Sequence, residues 1–397
     1  MTAPSPNPGR IIAIDALRGL SVIGIVWMNV HAFALPSPAY YNPVAWGGET
    51  TLDRVIWAAS FVFVEDKFRT LFAMMFGAGC LILLERAEER KLRAHSARML
   101  VLFVLGVVHS VLFASNDVLR AYALSGLVLP FLAKLSPREL YAVTVGLVVL
   151  HCAAGLVAFG PGVVDFYAGR TTGEAYLFAE RRFGGDPAAL NYFLELGREG
   201  FDERVARRIV DWPSHMQAVV LSIPLNLSAM ALGMGLWKHR FLAGEWRTFR
   251  LQRIAAVCAI VAIPALLGLA LWVANNGFPG AVVGSANLIV SAPFDMLLGL
   301  TYAALAMAFF QPGGVVTQKL ATVGRLSLTN YLMTSFIFAA IFSGWGLGLF
   351  GEFNRAQSFV VSFVPIVAML VWSPFWVRRF GQGPFERVWR AAAKALS

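Results

Sequence analysis

The chain has 397 residues, 58% of them hydrophobic and 14% charged, with a formal net charge of +10 and a mean hydropathy of +0.65. These values exclude a soluble domain of ordinary composition and predict an all-α, polytopic membrane helix bundle, residues 1–397 forming a single membrane domain. Its basic residues fall in short clusters between apolar runs, as in membrane-protein loops, so the expected partners are membrane lipids and no nucleic acid.

A bilayer core about 30 Å thick needs roughly 20 apolar helical residues per crossing. Ten transmembrane segments meet that length, at about 11–34, 65–85, 98–115, 118–136, 140–161, 215–237, 253–275, 285–310, 325–349 and 357–377. The first imitates a signal peptide at Ala32–Ala34, but Asp15 and Arg18 interrupt it, so it reads as a retained span. With the N-terminus inside, the internal loops and tails collect 20 Lys and Arg, whereas the short external loops hold Arg54, Arg120 and Arg355. The positive-inside bias therefore predicts two cytoplasmic termini and a multi-pass protein of the cell (inner or plasma) membrane.

Ionisable residues at membrane depth are costly and mark polar cavities or paired charges. In the second segment, Glu65, Asp66, Lys67 and Arg69 sit together. The apolar run 54–84 would be about 46 Å long as one helix, so the span is expected to begin near Glu65, with the four charges at its outer end. Glu65 and Arg69 share a helix face, as do Asp66 and Arg69. The cluster reads either as a self-neutralised structural group or as the rim of a polar cavity with Glu65 free to act as a base or to hold a histidine.

In the third segment His109 lies about 16 Å from Arg98, near the bilayer middle. The following "SND" turn brings Asn116 and Asp117 to the outer boundary. A neutral imidazole at that depth can serve as a general base or as a packing residue. His151, among apolar neighbours, reads as packing. Residues 162–214 form one long external segment with seven Arg against nine Asp and Glu. Helical spacing in "GEAYLFAERRF" and "FDERVARRIVDW" predicts surface helices there, either a lid or a spacer. Asp295 follows Pro293 and is the candidate ion-coupling carboxylate of a transporter. Ser327, Thr329, Asn330 and Tyr331 fit a polar channel or interhelical hydrogen bonding. Residues 384–396 predict an amphipathic helix on the cytoplasmic membrane surface. The three cysteines show neither disulfide nor metal-ligand spacing, and no metal site is expected.

The stretches "RIIAIDALRGLSVIGIVWMNV", "KFRTLFAMMFGAG", "LGVVHSVLFASNDVLRAYALSG", "VGRLSLTNYLMTSF" and "GPFERVWR", in this order, resemble the YeiB-like membrane proteins, a family built on a domain of unknown function. That family is distantly similar to the transmembrane acyltransferases. The resemblance implies acyl transfer from a cytoplasmic acyl thioester, acyl-CoA, to a sugar or lipid-like acceptor at or beyond the outer face, with no tightly bound cofactor. Many of those relatives carry Arg and His eleven positions apart in the first span; here Arg18 keeps the first position and Asn29 takes the second. His31 is rotated by about 200° from Arg18's face and does not substitute. The resemblance thus assigns the base to His109, oriented by Asp117 or Glu65, with Asn29 left to hydrogen bonding. Arg18 and Arg325 are candidate donor-phosphate contacts or ordinary interface anchors, with Arg69, Asn330 and Tyr331 as further binding residues. The alternative expectation is a small-molecule or lipid transporter whose polar path includes Asp295 and His109.

Overall fold

The computed structural model describes residues 8–86 and 91–397, so part of the basic loop expected over 86–98 and the first seven residues lie outside the described residues. The first third of the chain forms α1 (Pro8–Ala34), α2 (Ser37–Tyr41), α3 (Thr51–Phe63), α4 (Lys67–Arg86), α5 (Lys91–Leu112), α6 (Leu119–Gly126) and α7 (Leu129–Leu132). Then come α8 (Pro137–Tyr167), α9 (Glu174–Phe183), α10 (Pro187–Arg198), α11 (Phe201–Val210), α12 (Trp212–Lys238) and α13 (Thr248–Asn275). The last part holds α14 (Gly280–Ser285), a π-helical turn (Ala286–Val290), α15 (Ala292–Phe309), α16 (Val315–Arg325), α17 (Ser327–Phe342), α18 (Arg355–Val361), α19 (Phe363–Phe380) and α20 (Pro384–Leu396).

Among the described residues, eight helices are long and apolar enough to cross a membrane, or nine when α16 and α17 count as one bent span. The helices that pass by length and composition number one or two fewer than the expected ten, and each difference has a local cause. The expected span 118–136 is broken at Leu127–Val128 into α6 and α7, with Pro130 in the first turn of α7. The twelve helical residues of α6 and α7 reach only about 18 Å, short of a full crossing. The expected span 325–349 bends by 78° at Leu326, where the backbone leaves helical geometry at φ −108° and ψ 28°. The expected span 285–310 begins as α14 and the π-helical turn, and only α15 is a straight candidate span.

Burial grades the helices from centre to rim. The most apolar stretch of α12 is 67% buried and that of α1 61%, against 11% for α8 and 28% for α13. Outward-facing Val149, Val157, Ile260 and Val371 are exposed. Apolar side chains on the outside of an apolar-cored bundle are those of a protein solvated by lipid. The main core packs α4 against α12 through Leu71, Met74, Met230 and Met234. α1 and α16 meet backbone to backbone: a Cβ on Gly19 would lie 2.0 Å from the Leu320 carbonyl oxygen, and one on Gly324 1.8 Å from that of Asp15. Small residues at such a crossing let membrane helices gain van der Waals contact without a hydrophobic drive.

The two ends of the bundle differ. At the Asp15 end, Arg325 donates to the Gly381 carbonyl (3.1 Å) and Lys238 to the carbonyls of Ala133 and Leu135. α20 docks there, with Trp389 donating to the Arg98 carbonyl (2.8 Å). Its Glu386 accepts the amides of Leu328 (2.9 Å) and Thr329 (3.1 Å), two of the donors that the bend before α17 leaves without helical partners. At the opposite, Ala34 end lie α2 and α9–α11, tied by Asn42 to the carbonyls of Phe183 (2.8 Å) and Phe278 (3.0 Å).

Candidate functional site

α5 ends three residues after His109, and its chain reverses through a turn in which the His109 carbonyl accepts the amides of Phe113 (2.9 Å) and Ala114 (3.1 Å). This turn carries Asp117 back to the imidazole. His109 Nδ1 lies 2.6 Å from Asp117 Oδ2, with both side chains buried. The same oxygen accepts the Tyr331 hydroxyl (3.3 Å) from α17, and Oδ1 accepts the Arg120 amide (3.2 Å) in the first turn of α6. A carboxylate only accepts hydrogen bonds, so Nδ1 carries a proton, and in the neutral form of the imidazole the lone pair is at Nε2. That Nε2 is buried and without a hydrogen-bond partner among the described residues. Gly106, one turn before His109, permits the close approach, because a Cβ there would lie 2.8 Å from Asp117 Oδ1 and 2.9 Å from the Arg120 nitrogen.

Arg120 completes the group. Its side chain is fully buried, Nη2 donates to the Ser115 carbonyl (2.6 Å), and the guanidinium lies 5.3 Å from the Trp212 ring. Its Nε is 3.9 Å from Asp117 Oδ1, and neither Nε nor Nη1 has a hydrogen-bond partner among the described residues. Above the turn, Arg208 of α11 donates to the carbonyls of Ser110 (3.4 Å), Val111 (3.2 Å) and Phe113 (3.3 Å). These are carbonyls of the last turn of α5 and of the residue just past it, where helical acceptors run out, and a cation there also suits the helix dipole. Arg204, one turn earlier, donates to Ser343 Oγ (2.8 Å). The segment 162–214 thus covers the His109 group with buried arginines. Sequence reading placed Arg120 in a loop and passed over Arg204 and Arg208. Their four-residue spacing on the apolar face of "FDERVARRIVDW" was the available signal.

A second polar group lies at the break between α3 and α4. Asp66 adopts φ +60°, a left-handed conformation that Asp tolerates better than most residues, and this breaks the helix at the charges. Arg69 pairs with Asp66 at 3.0 Å. Lys67 Nζ lies 2.6 Å from Asp295 Oδ1, both side chains almost fully buried, and also donates to the Phe61 carbonyl. Of the two pairings weighed for Glu65, neither forms: it makes no bond to Arg69 or His109. Glu65 is buried with no hydrogen bond or ion pair from its carboxylate among the described residues.

The remaining candidates are divided. Arg18 Nη1 is 3.3 Å from Asp15 at the surface-facing Asp15 end, and Arg18 and Arg325 are the two cations acting on Asp15. Asn29 is half-buried on α1. Asn330 donates to the Val323 carbonyl (3.0 Å) and Ser373 Oγ (3.2 Å) and accepts from Trp372 (3.0 Å). Its amide therefore holds α16, α17 and α19 together at the bend. Thr329 donates to Glu386 (2.5 Å), so of the polar run on α17 Tyr331 alone meets His109's partner. His151 bonds the Leu288 carbonyl (2.9 Å), a packing role. Among the described residues no group of three or more His, Cys, Asp or Glu is placed to hold a metal ion.

Residues 236–395 match the family described as "Protein of unknown function (DUF418)". Across its length the chain is 29% identical to "Uncharacterized protein YeiB" of Escherichia coli (strain K12), covering 98% of each chain. It is 26% identical to "Uncharacterized protein YxaH" of Bacillus subtilis (strain 168), over 98% of this chain and 95% of that one. It is 24% identical to "Uncharacterized 39.9 kDa protein in amylase 3'region" of Bacillus acidopullulyticus, over 96% and 93%. No solved structure matches. The similarity to YeiB runs over 98% of the chain, and the match to the DUF418 family lies in its C-terminal part.

Proposed function

We propose that the protein is an integral-membrane acyltransferase that moves an acyl group from a cytoplasmic acyl thioester to a sugar or lipid-like acceptor at or beyond the outer face of the cell membrane. The observation that carries this reading is the orientation of His109, with Nδ1 tied to Asp117 at 2.6 Å and Nε2 buried and unpartnered. In the proposed step Nε2 takes the proton of the acceptor hydroxyl as its oxygen attacks the thioester carbonyl. The carbon–sulfur bond then breaks, and the imidazolium returns the proton to the leaving thiolate. Asp117 holds the tautomer and stabilises the imidazolium, with Tyr331 and Arg120 fixing the carboxylate. The basic Asp15 end is taken as cytoplasmic by the positive-inside rule, and Arg18 and Arg325 there are the proposed contacts for the donor's phosphates. The transport alternative draws less support, because Asp295, its coupling carboxylate, is committed to Lys67.

The test is thiol release from acetyl-CoA by the full chain in proteoliposomes, with an acceptor panel of sugars and lipids. His109→Ala should abolish release, and Asp117→Asn should lower it by roughly 10²–10⁴-fold. Equal release by wild type and His109→Ala, or solute flux with no thioester consumed, would overturn the proposal.

A further inference from the structure

Glu65 and Arg355 are two buried, oppositely charged groups held apart. Arg355 opens α18, and its side chain is fully buried. Nη2 is pinned by the carbonyls of Ala39 and Tyr40 (3.0 Å to the latter). The backbone of Arg355 is fixed at both sides, its amide by Gly47 (2.8 Å) and its carbonyl by His31 (3.3 Å). Among the described residues Nε and Nη1 have no hydrogen-bond partner, and no carboxylate lies within ion-pairing distance. Glu65 is held by the helix break, its amide donating to the Ser60 carbonyl (2.8 Å), and its carboxylate is likewise unpaired. Each is the strongest opposite charge acting on the other.

Burying either charge costs several kcal/mol, recovered only by close contact with a complementary group. A pair that senses each other's charge yet does not close leaves both costs outstanding, unless a group with the inverse charge pattern meets both. Tyr40 of α2 adjoins the Arg355 guanidinium, whose Nη2 donates to its carbonyl (3.0 Å), and Tyr41 follows it in the same helix. Burial, then the carboxylates of Glu65 for Tyr40 and Asp66 for Tyr41, holds their hydroxyls well above the ordinary tyrosine pKa. Both therefore stay protonated and able to donate. Arg355 lies against α2 at the Ala34 end, away from the basic cluster around Arg325.

We propose that Glu65, Arg355 and Tyr40 form a binding site for a zwitterionic group, an ammonium linked to a carboxylate or phosphate. The oxyanion takes the free guanidinium donors and the Tyr40 hydroxyl, and the ammonium takes Glu65. Two sources carry this chemistry, a free small zwitterion and an aminophospholipid headgroup. The site stands whether or not His109 performs acyl transfer.

The experiment uses the full chain in nanodiscs of phosphatidylglycerol, titrated calorimetrically with glycine and with phosphoethanolamine, and by native mass spectrometry in nanodiscs doped with phosphatidylethanolamine. The expected result is saturable binding of at least one zwitterion, with inorganic phosphate and ethanolamine alone at least about tenfold weaker, consistent with loss of one charge-assisted partner. Soluble probes binding assigns a free ligand; retention of phosphatidylethanolamine alone assigns a headgroup. Glu65→Gln, which keeps the side-chain shape, and Arg355→Lys should each weaken binding at least about tenfold. Because Arg355 also ties α18 to α2, Glu65→Gln with an unchanged melting temperature is the deciding variant. No zwitterion bound, or binding unaltered in Glu65→Gln, overturns the site.

Discussion

Gly106→Ala tests the construction of the His109 group through a single methyl. The added Cβ would lie 2.8 Å from Asp117 Oδ1, 2.9 Å from the Arg120 nitrogen and 3.0 Å from Arg120 Cγ, where ordinary contact begins at 3.4 Å. The turn must therefore retreat by about 0.6 Å, and it cannot do so by a side-chain rotation, because one of the contacts is backbone. Starting from 2.6 Å, the His109–Asp117 separation would reach about 3.2 Å, the outer limit of a good N–H···O bond. Overpacking of this kind costs about 1–3 kcal/mol, whereas replacing a helical glycine by alanine gains about 1 kcal/mol. The net expectation is a loss of about 0–2 kcal/mol. Gly146→Ala on the outer face of α8 meets nothing within 4 Å and should gain up to about 1 kcal/mol. Detergent unfolding followed by tryptophan fluorescence compares the two variants, and NMR of the His109 Nδ1 proton reports the bond. If Gly106→Ala proves as stable as Gly146→Ala with that proton unshifted, the packing of the 113–120 turn on α5 is refuted.

Three other expectations follow from named contacts. Lys67→Met leaves Asp295 buried without its cation and should cost about 3–5 kcal/mol, with most of the loss restored in Lys67→Met/Asp295→Leu; unfolding midpoints check both. Glu386→Ala removes the acceptor for the Leu328 and Thr329 amides and should cost about 1–2 kcal/mol, read as faster hydrogen exchange at those two amides. Arg208→Ala uncaps the end of α5 and should raise exchange across residues 109–118 while leaving α13 protected; uniform protection would show that α11 does not hold the turn.

The membrane bundle was legible because composition and run length report directly on the solvent, and hydropathy needs no knowledge of partners. Span boundaries were not legible where the backbone bends, at Leu127–Val128, at the π-helical turn and at Leu326, because a hydropathy window sums apolar residues and is blind to direction. The meeting of His109 with Asp117 was readable because a short polar turn joins them along the chain. Lys67 with Asp295, and Glu386 with the start of α17, join helices far apart in sequence, and such pairings leave no periodic trace. The buried arginines of α11 were misread as solvated for another reason. A guanidinium on an apolar face looks like surface charge until the carbonyls it caps are in place.

The two polar groups are joined by a hydrogen bond between α6 and α4, which makes their independence testable. The Tyr122 hydroxyl donates to the Arg69 carbonyl (3.0 Å), Arg69 pairs with Asp66 beside Glu65, and Tyr122 itself lies in α6, the helix that begins just after Asp117's turn. Tyr122→Phe keeps the stacking on Phe72, whose ring centroid is 5.9 Å away, and deletes only the hydroxyl. The Arg69 carbonyl lies inside a helix and keeps its helical donor, so the stability cost should stay near the low end of about 0.5–1.5 kcal/mol. The informative quantity is the coupling between Glu65→Gln and Asp117→Asn in a double-mutant cycle on unfolding free energy. If the α4–α6 bond transmits strain between the groups, that coupling should exceed about 0.5 kcal/mol in the parent and fall towards zero in the Tyr122→Phe background. Additive effects in the parent would refute a connection through Tyr122, and the two groups would then act as separate sites within one bundle.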